Sequence, residues 1–187
     1  MGSWVFLAIL AVAVIYLISL YNKIIRMEQT RDNAFSDIDV QLKERHDLVP
    51  NLVNTVKGYA DHEDDILKQV TEARATAMKG GSVGDVAKAE SALGAAMMNL
   101  MAVAENYPDL KADQNFAKLQ AELSNLEQKI AAARRFFNNA TKEYNVSIKT
   151  FPAVLFAGAF GFGEEEFFEL DALEKESASK PPEVNFA

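Results

Sequence analysis

The run from Trp4 to Leu20, WVFLAILAVAVIYLISL, holds 17 residues and no charged side chain. An uncharged apolar run of this length has few places to go in a folded chain. As a helix rising about 1.5 Å per residue it covers roughly 26 Å, close to the hydrocarbon thickness of a bilayer. Trp4 and Tyr21 stand at its two ends, where amphipathic rings favour the membrane interface, and Lys23 follows. A cleaved signal peptide fits less well, since no Lys or Arg precedes the run and no small-x-small site closes it before Lys23. A buried helix of a soluble core is the other alternative. Phe6 stands where an N-myristoylation motif requires Ser or Thr. The expectation is a membrane span within residues 1–22, with Trp4, Phe6, Leu10, Ile15, Tyr16 and Leu20 facing lipid.

The flanks orient that span. Nothing basic precedes Trp4, whereas Lys23, Arg26 and Arg31 follow Leu20. The positive-inside rule then places the N-terminus outside and the rest of the chain in the cytoplasm.

Charge is distributed unevenly beyond the span. Of the formal −8, the stretch from Phe151 onward carries −6, from eight acids against two lysines, which leaves −2 on the middle of the chain. A nearly neutral middle with an acidic tail argues against nucleic acid as a partner, because phosphates demand a basic footprint. There is no cysteine, so disulfides, thiolate metal ligands and a cysteine nucleophile are excluded.

From Lys23 to about Tyr59 the residues Ile24, Phe35, Ile38, Leu42, Val49, Leu52, Val56 and Tyr59 follow helical steps, so the span is expected to continue as a long stalk. Arg45 falls on that stripe. It either meets an acidic or carbonyl partner or snorkels to the bundle edge. Pro50 lacks a donor and crowds the preceding turn, which predicts a bend or a restart near Asp47. A second helix is expected after Asp61 as N-cap, with Ile66, Val70, Ala73 and Ala77 inward, closed by Gly80-Gly81-Ser82. A third, from Val83 to Asn106, carries Val86, Ala89, Leu93, Met97, Leu100 and Ala104 on one face. Tyr107-Pro108-Asp109 stops it and Asp113 caps a fourth. The fourth has the strictest pattern: Phe116, Leu119, Leu123, Leu126, Ile130, Ala133, Phe137, Ala140 and Tyr144 alternate steps of three and four. It should end before Pro152, which pushes Phe151 out of the helical region.

Long heptad helices joined by short turns predict an all-α fold: an N-terminal transmembrane helix continuing into an up-and-down antiparallel four-helix bundle over residues 23–150. The first helix would rise about 53 Å and the fourth descend about 56 Å, returning Phe151 to the level of the membrane. The uncharged segment 151–163, FPAVLFAGAFGFG, is too short to span. Within a Phe- and Gly-rich stretch over 151–170, Phe151, Phe156, Phe160 and Phe162 are candidates for shallow insertion, or else for capping the bundle end. Residues 171–187 read as an acidic disordered tail.

Chemistry-bearing constellations are missing. His46 and His62 are 16 residues apart with no HExxH or His-x3-His spacing. Gly80–Gly84 lacks the Lys and strand of a phosphate loop. Asp37 and Asp39 have no cleft around them and read as stalk surface. No catalytic residue, cofactor site or metal site is expected.

The run Phe35 to Val53, FSDIDVQLKERHDLVPNLV, continuing into Val56 to Glu63, VKGYADHE, resembles the signature of the bacterial LemA family. Leu42, Arg45, Asp47, Pro50 and Asn51 lie within it. Tyr144-Asn145, Phe151-Pro152, Gly161-Phe162 and Phe167-Phe168 resemble that family's C-terminal signature, and Tyr21-Asn22 after a single span agrees. Glu44 departs from the family pattern, which often has a second basic residue there. The resemblance implies one N-terminal span, an outside N-terminus and a long helical bundle. It implies no enzyme activity and no catalytic residues, and one family branch is associated with forming membrane-bound organelles in magnetic bacteria. The functional expectation is a non-enzymatic scaffold of the bacterial cytoplasmic membrane that self-associates and organises or remodels the bilayer. The alternative is an anchored adaptor that presents the bundle to a signalling or proteolytic partner. The partners implied are the lipid bilayer and further copies of the chain.

Overall fold

The computed structural model describes residues 2–59 and 63–169. The expected Asp61 cap, His62 and the expected tail over 171–187 lie outside the described residues. The chain is all-helical, in the order α1 (Gly2–Lys57), α2 (Asp64–Ala77), α3 (Val83–Ala104), α4 (Pro108–Lys111) and α5 (Gln114–Lys149), then two 3-10 turns, Ala153–Leu155 and Gly158–Phe160. The long N-terminal apolar helix is therefore present, and it is followed by a helical bundle.

The apolar run and the expected stalk form one helix of 56 residues with Pro50 inside it. No restart occurs at Asp47. Val49, Leu52 and Val56 stay buried on either side of the proline, so the apolar stripe crosses it in register. The expected boundaries shift elsewhere for local reasons. Glu63 occupies the N-cap position of α2 without a side-chain bond, and Asp64 and Asp65 supply first-turn acids. Ser82 starts α3 with a capping box: its hydroxyl accepts from the Asp85 amide, and the Asp85 carboxylate accepts from the Ser82 amide. Gly80 and Gly81, at φ 67° and 143°, supply the left-handed turn before it. The expected turn at Pro108 is a one-turn helix, α4, with the proline in its first turn. Asp113 then accepts from the amides of Asn115 and Phe116, as a cap for α5 should.

By compactness the chain divides into two units, Met1–Ile38 with Ala133–Phe167, and Asp39–Ala132 with Phe168–Ala187. The second unit holds stretches of α1 and α5 together with α2, α3 and α4. Its core is Val49, Leu52 and Val56 of α1, Leu67 and Val70 of α2, Leu93, Met97 and Leu100 of α3, Leu110 of α4, and Phe116 and Leu123 of α5. Four helix stretches surrounding one apolar centre is the stable way to bury a stripe from each. The first unit has only two helix stretches. Phe35 meets Phe137, with ring centroids 5.5 Å apart, and Ile24 packs with Tyr144 and Ile148, so these two stretches run antiparallel.

Candidate functional site

The 3-10 turns close one end of the first unit. Ala153 and Ala157 are buried against Ile24, Tyr144 and Ile148, with Phe156 and Phe162 half-buried on the same cluster. The Phe151–Pro152 peptide is cis, and Gly161, at φ 84°, ends the second turn. What remains outward is an apolar rim: Phe151 is 75% exposed, Val154 52%, Leu155 73% and Phe160 60%. The rim lies beside the end of the apolar run. The Tyr21 ring is 5.4 Å from those of Phe160 and Phe162, and Phe151 and Pro152 line a groove with Tyr16 and Leu20. The four phenylalanines singled out from sequence thus divide into an outward pair, Phe151 and Phe160, and a pair packed on the helices, Phe156 and Phe162. Val154 and Leu155 went unnoticed because 3-10 turns break the helical period that ranks exposure.

The segment is held in place by polar contacts of the same unit. Asn145 is buried and bonds the Glu165 backbone twice, its amide donating to the carbonyl at 2.9 Å and its oxygen accepting from the N–H at 2.9 Å. Arg31, only 8% exposed, reaches Glu165 at 2.7 Å and Asp32 at 3.2 Å, and its guanidinium lies 5.1 Å from the centre of the Phe137 ring. Arg31 is therefore neutralised inside the unit, which leaves Lys23 and Arg26 as the exposed basic flank. Burial, and then the Glu28 and Glu165 carboxylates, push the Tyr144 phenol up, with Arg31 acting in the opposite direction. Along the apolar run, every residue from Gly2 to Ser19 is exposed, Trp4, Phe6, Leu10, Ile15 and Tyr16 among them, and Leu20 is half-buried. This part of α1 is long and apolar enough to cross a membrane.

The long signature run of the second unit surrounds a buried charge cluster. Arg45, 2% exposed, pairs with Glu90 of α3 and donates to Glu127 of α5 at 2.8 Å. His46 Nε2 lies 2.7 Å from the other Glu90 oxygen, and the His46 carbonyl accepts from Arg74 of α2 at 2.6 Å. Arg45 thus has its acidic partner and does not snorkel. Desolvation works against the Arg45 charge, but the carboxylates of Glu127 and Glu90 outweigh it and its pKa is raised. Desolvation likewise opposes the Glu90 charge, and the bonds from His46 and Arg45 overcome it, holding Glu90 below its usual 4.5. Asp39, exposed, moves upward through partial desolvation and the Glu90 charge. Leu42 belongs to the buried stripe, whereas Asp47 and Asn51 are exposed along a polar groove with Glu44 and Glu122. Sequence reasoning missed Glu90. The available signal was an acid one turn after Val86 and within the apolar stripe of α3, an acidic counterpart of Arg45 on α1. Among the described residues, no group of three or more His, Asp and Glu side chains is arranged to hold a metal ion.

The LemA family model matches residues 34–186. The chain belongs to the LemA family. This LemA-family chain is 26% identical over 175 residues to magnetosome protein MamQ 2 of Paramagnetospirillum magneticum, covering 80% of the chain and 64% of that relative. It is 25% identical over 174 residues to magnetosome protein MamQ of Magnetospirillum gryphiswaldense, covering 79% and 64%. With protein LemA of Metamycoplasma hominis it shares 27% identity over 135 residues, covering 70% and 60%. The chain spans less than two thirds of the length of these relatives. The family match begins at Ala34, beyond the apolar run, so the capacity of α1 to cross a membrane rests on the composition and exposure of α1 itself. Family and helix together make this LemA-family chain a membrane-associated helical protein.

Proposed function

We propose that this LemA-family chain is a non-enzymatic scaffold: it is anchored by α1 in the cytoplasmic membrane, N-terminus outside, touches the same bilayer a second time, and self-associates to organise it. The observation that carries this reading is the outward rim of Phe151, Val154, Leu155 and Phe160 at the end of the apolar run. Four large apolar side chains left in water form a costly patch, at roughly 25 cal/mol per Å² of apolar surface, and a bilayer interface covers it. Two contacts with one bilayer fix the tilt of the first unit, where a single helix would only tether it. First units held at a common tilt can pack laterally, and two relatives carry the name magnetosome protein, which fits a role in membrane organisation.

The test is depth measurement in liposomes. A Leu155→Trp reporter in a Trp4→Phe background should be quenched by lipids brominated near the headgroup. An unquenched reporter in a folded protein would sink the second contact. For self-association, single-particle size in nanodiscs and arrays on liposomes are the readouts. A monomer with one stoichiometric protein partner would replace the scaffold with an adaptor.

A further inference from the structure

The first unit carries a groove of about 680 Å³ that is apolar at the end beside the apolar run and holds charged side chains further along. The end beside the apolar run is lined by Leu20 of α1 and by Phe151, just past the end of α5; further along, Lys23 stands on α1 ahead of Met27, and Lys142 stands on α5 beyond Val146. Because the two helix stretches run antiparallel, Leu20 and Phe151 fall at one end of the groove, and both lysines lie on the same side of them. A water-filled cleft has no need of such a match, whereas an amphiphile requires it.

The charges sharpen the identity of the occupant. Two other basic residues of this unit are neutralised internally, Lys149 by Glu164 at 2.6 Å and Arg31 by Glu165. Lys23 and Lys142 are exposed, and neither makes an ion pair among the described residues. Glu143 also lines the groove, so the two lysines leave one net positive charge there. Lysines flanking the end of a transmembrane helix reach towards headgroups, and basic pockets beside such helices favour anionic lipids.

The geometry points to a binding site for a phospholipid with an anionic headgroup: an acyl chain lies along Leu20, Val146 and Phe151, and the phosphate sits between Lys23 and Lys142. The site rests on the reading that α1 spans and the neighbouring rim touches the bilayer, and it gives that contact a lipid preference.

Native mass spectrometry of the full chain in detergent, titrated with phosphatidylglycerol and with phosphatidylcholine, tests it. Phosphatidylglycerol should be retained in preference. Lys23→Gln and Lys142→Gln should each weaken that retention about fivefold, the equivalent of roughly 1 kcal/mol per lysine near a lipid surface. Lys149→Gln, which removes an already paired charge, should leave it unchanged. Val146→Trp should block the apolar half with no change of charge, and circular dichroism checks that each variant is folded. Equal retention of the two lipids, or lysine variants without effect, would overturn the site. Displacement of the lipid by inorganic phosphate at similar concentration would assign the lysines to a free anion and overturn the lipid assignment. The Leu155→Trp quenching experiment reads membrane contact without reference to headgroup, so loss of lipid preference with quenching intact removes this inference alone.

Discussion

The two units of this chain bury an arginine each and use it differently. In the second unit Arg45 of α1 ties to Glu90 of α3 and Glu127 of α5, so the charge joins helices that already share an apolar core. In the first, Arg31 of α1 ties to Glu165, in the segment after the 3-10 turns. There the charge holds down a strap. The difference follows from helix number. Four helix stretches cover one another's stripes, whereas two leave faces open and need the strap of residues 150–165 to close one end. Even so, the rim of that strap and the apolar run from Trp4 to Ser19 stay outward, which is the surface the proposed bilayer contacts would cover.

The sharpest way to break this comparison is at Glu90. Glu90→Gln leaves Arg45 buried with only the half-exposed Glu127 as a charged partner. Breaking a buried pair from one side costs about 3–5 kcal/mol. Hydrogen exchange should show α3 amides of the second unit losing protection, with those of residues 133–149 in the first unchanged. The pH dependence has a definite sign. The Glu90 pKa is lower in the folded state than its usual 4.5, so its contribution is complete above that value and is lost as pH falls through the folded one. The gap between the parent and Glu90→Gln should therefore be widest at neutral pH and close on acidification. A gap independent of pH would assign the loss to packing.

How far the sequence reveals these devices depends on whether they are periodic. The seams of α1, α3 and α5 repeat every three or four residues, and Ile38, Leu93, Ile130 and Phe137 are buried as that repeat predicts. Arg45 was visible as a charge on a stripe, but its partner lies 45 residues away in α3, where no local spacing connects them. The Asn145 bonds to Glu165 are equally hidden, since they join a helix side chain to the backbone of an irregular segment. The division of the phenylalanines into Phe151 and Phe160 outward and Phe156 and Phe162 inward is set by two 3-10 turns, which have no amphipathic period to read.

Asn145 gives the next largest effect, and it acts on the first unit. Asn145→Ala leaves both the N–H and the C=O of Glu165 without their side-chain partner. The cost should be about 1–3 kcal/mol, the penalty of an unmet polar group in a buried setting. Exchange should quicken in residues 153–165, and the core amides of α3 should hold. Coupled loss in α3 would mean that the units do not respond separately. With the strap loosened, the Leu155→Trp reporter should also sample a wider range of depths in liposomes.

The smallest effect separates helix starts. The first unit contains no helix start in its α5 stretch, whereas the second must begin α2, α3 and α5 itself. Only α3 among these begins with a capping box, and Ser82→Ala removes the hydroxyl that accepts from the Asp85 amide at 3.2 Å. The same hydroxyl helps hold the Asp85 carboxyl below its usual pKa, together with the Ser82 amide. Loss of such a cap costs about 1 kcal/mol. Fraying should be confined to the first turn of α3, because Leu93 and Leu100 remain locked in the core further along. Exchange at Asp85 and Val86 should rise several-fold while Leu93 stays protected. If protection at Leu93 falls as well, the α3 start is holding the second unit together and the apolar core alone is not enough.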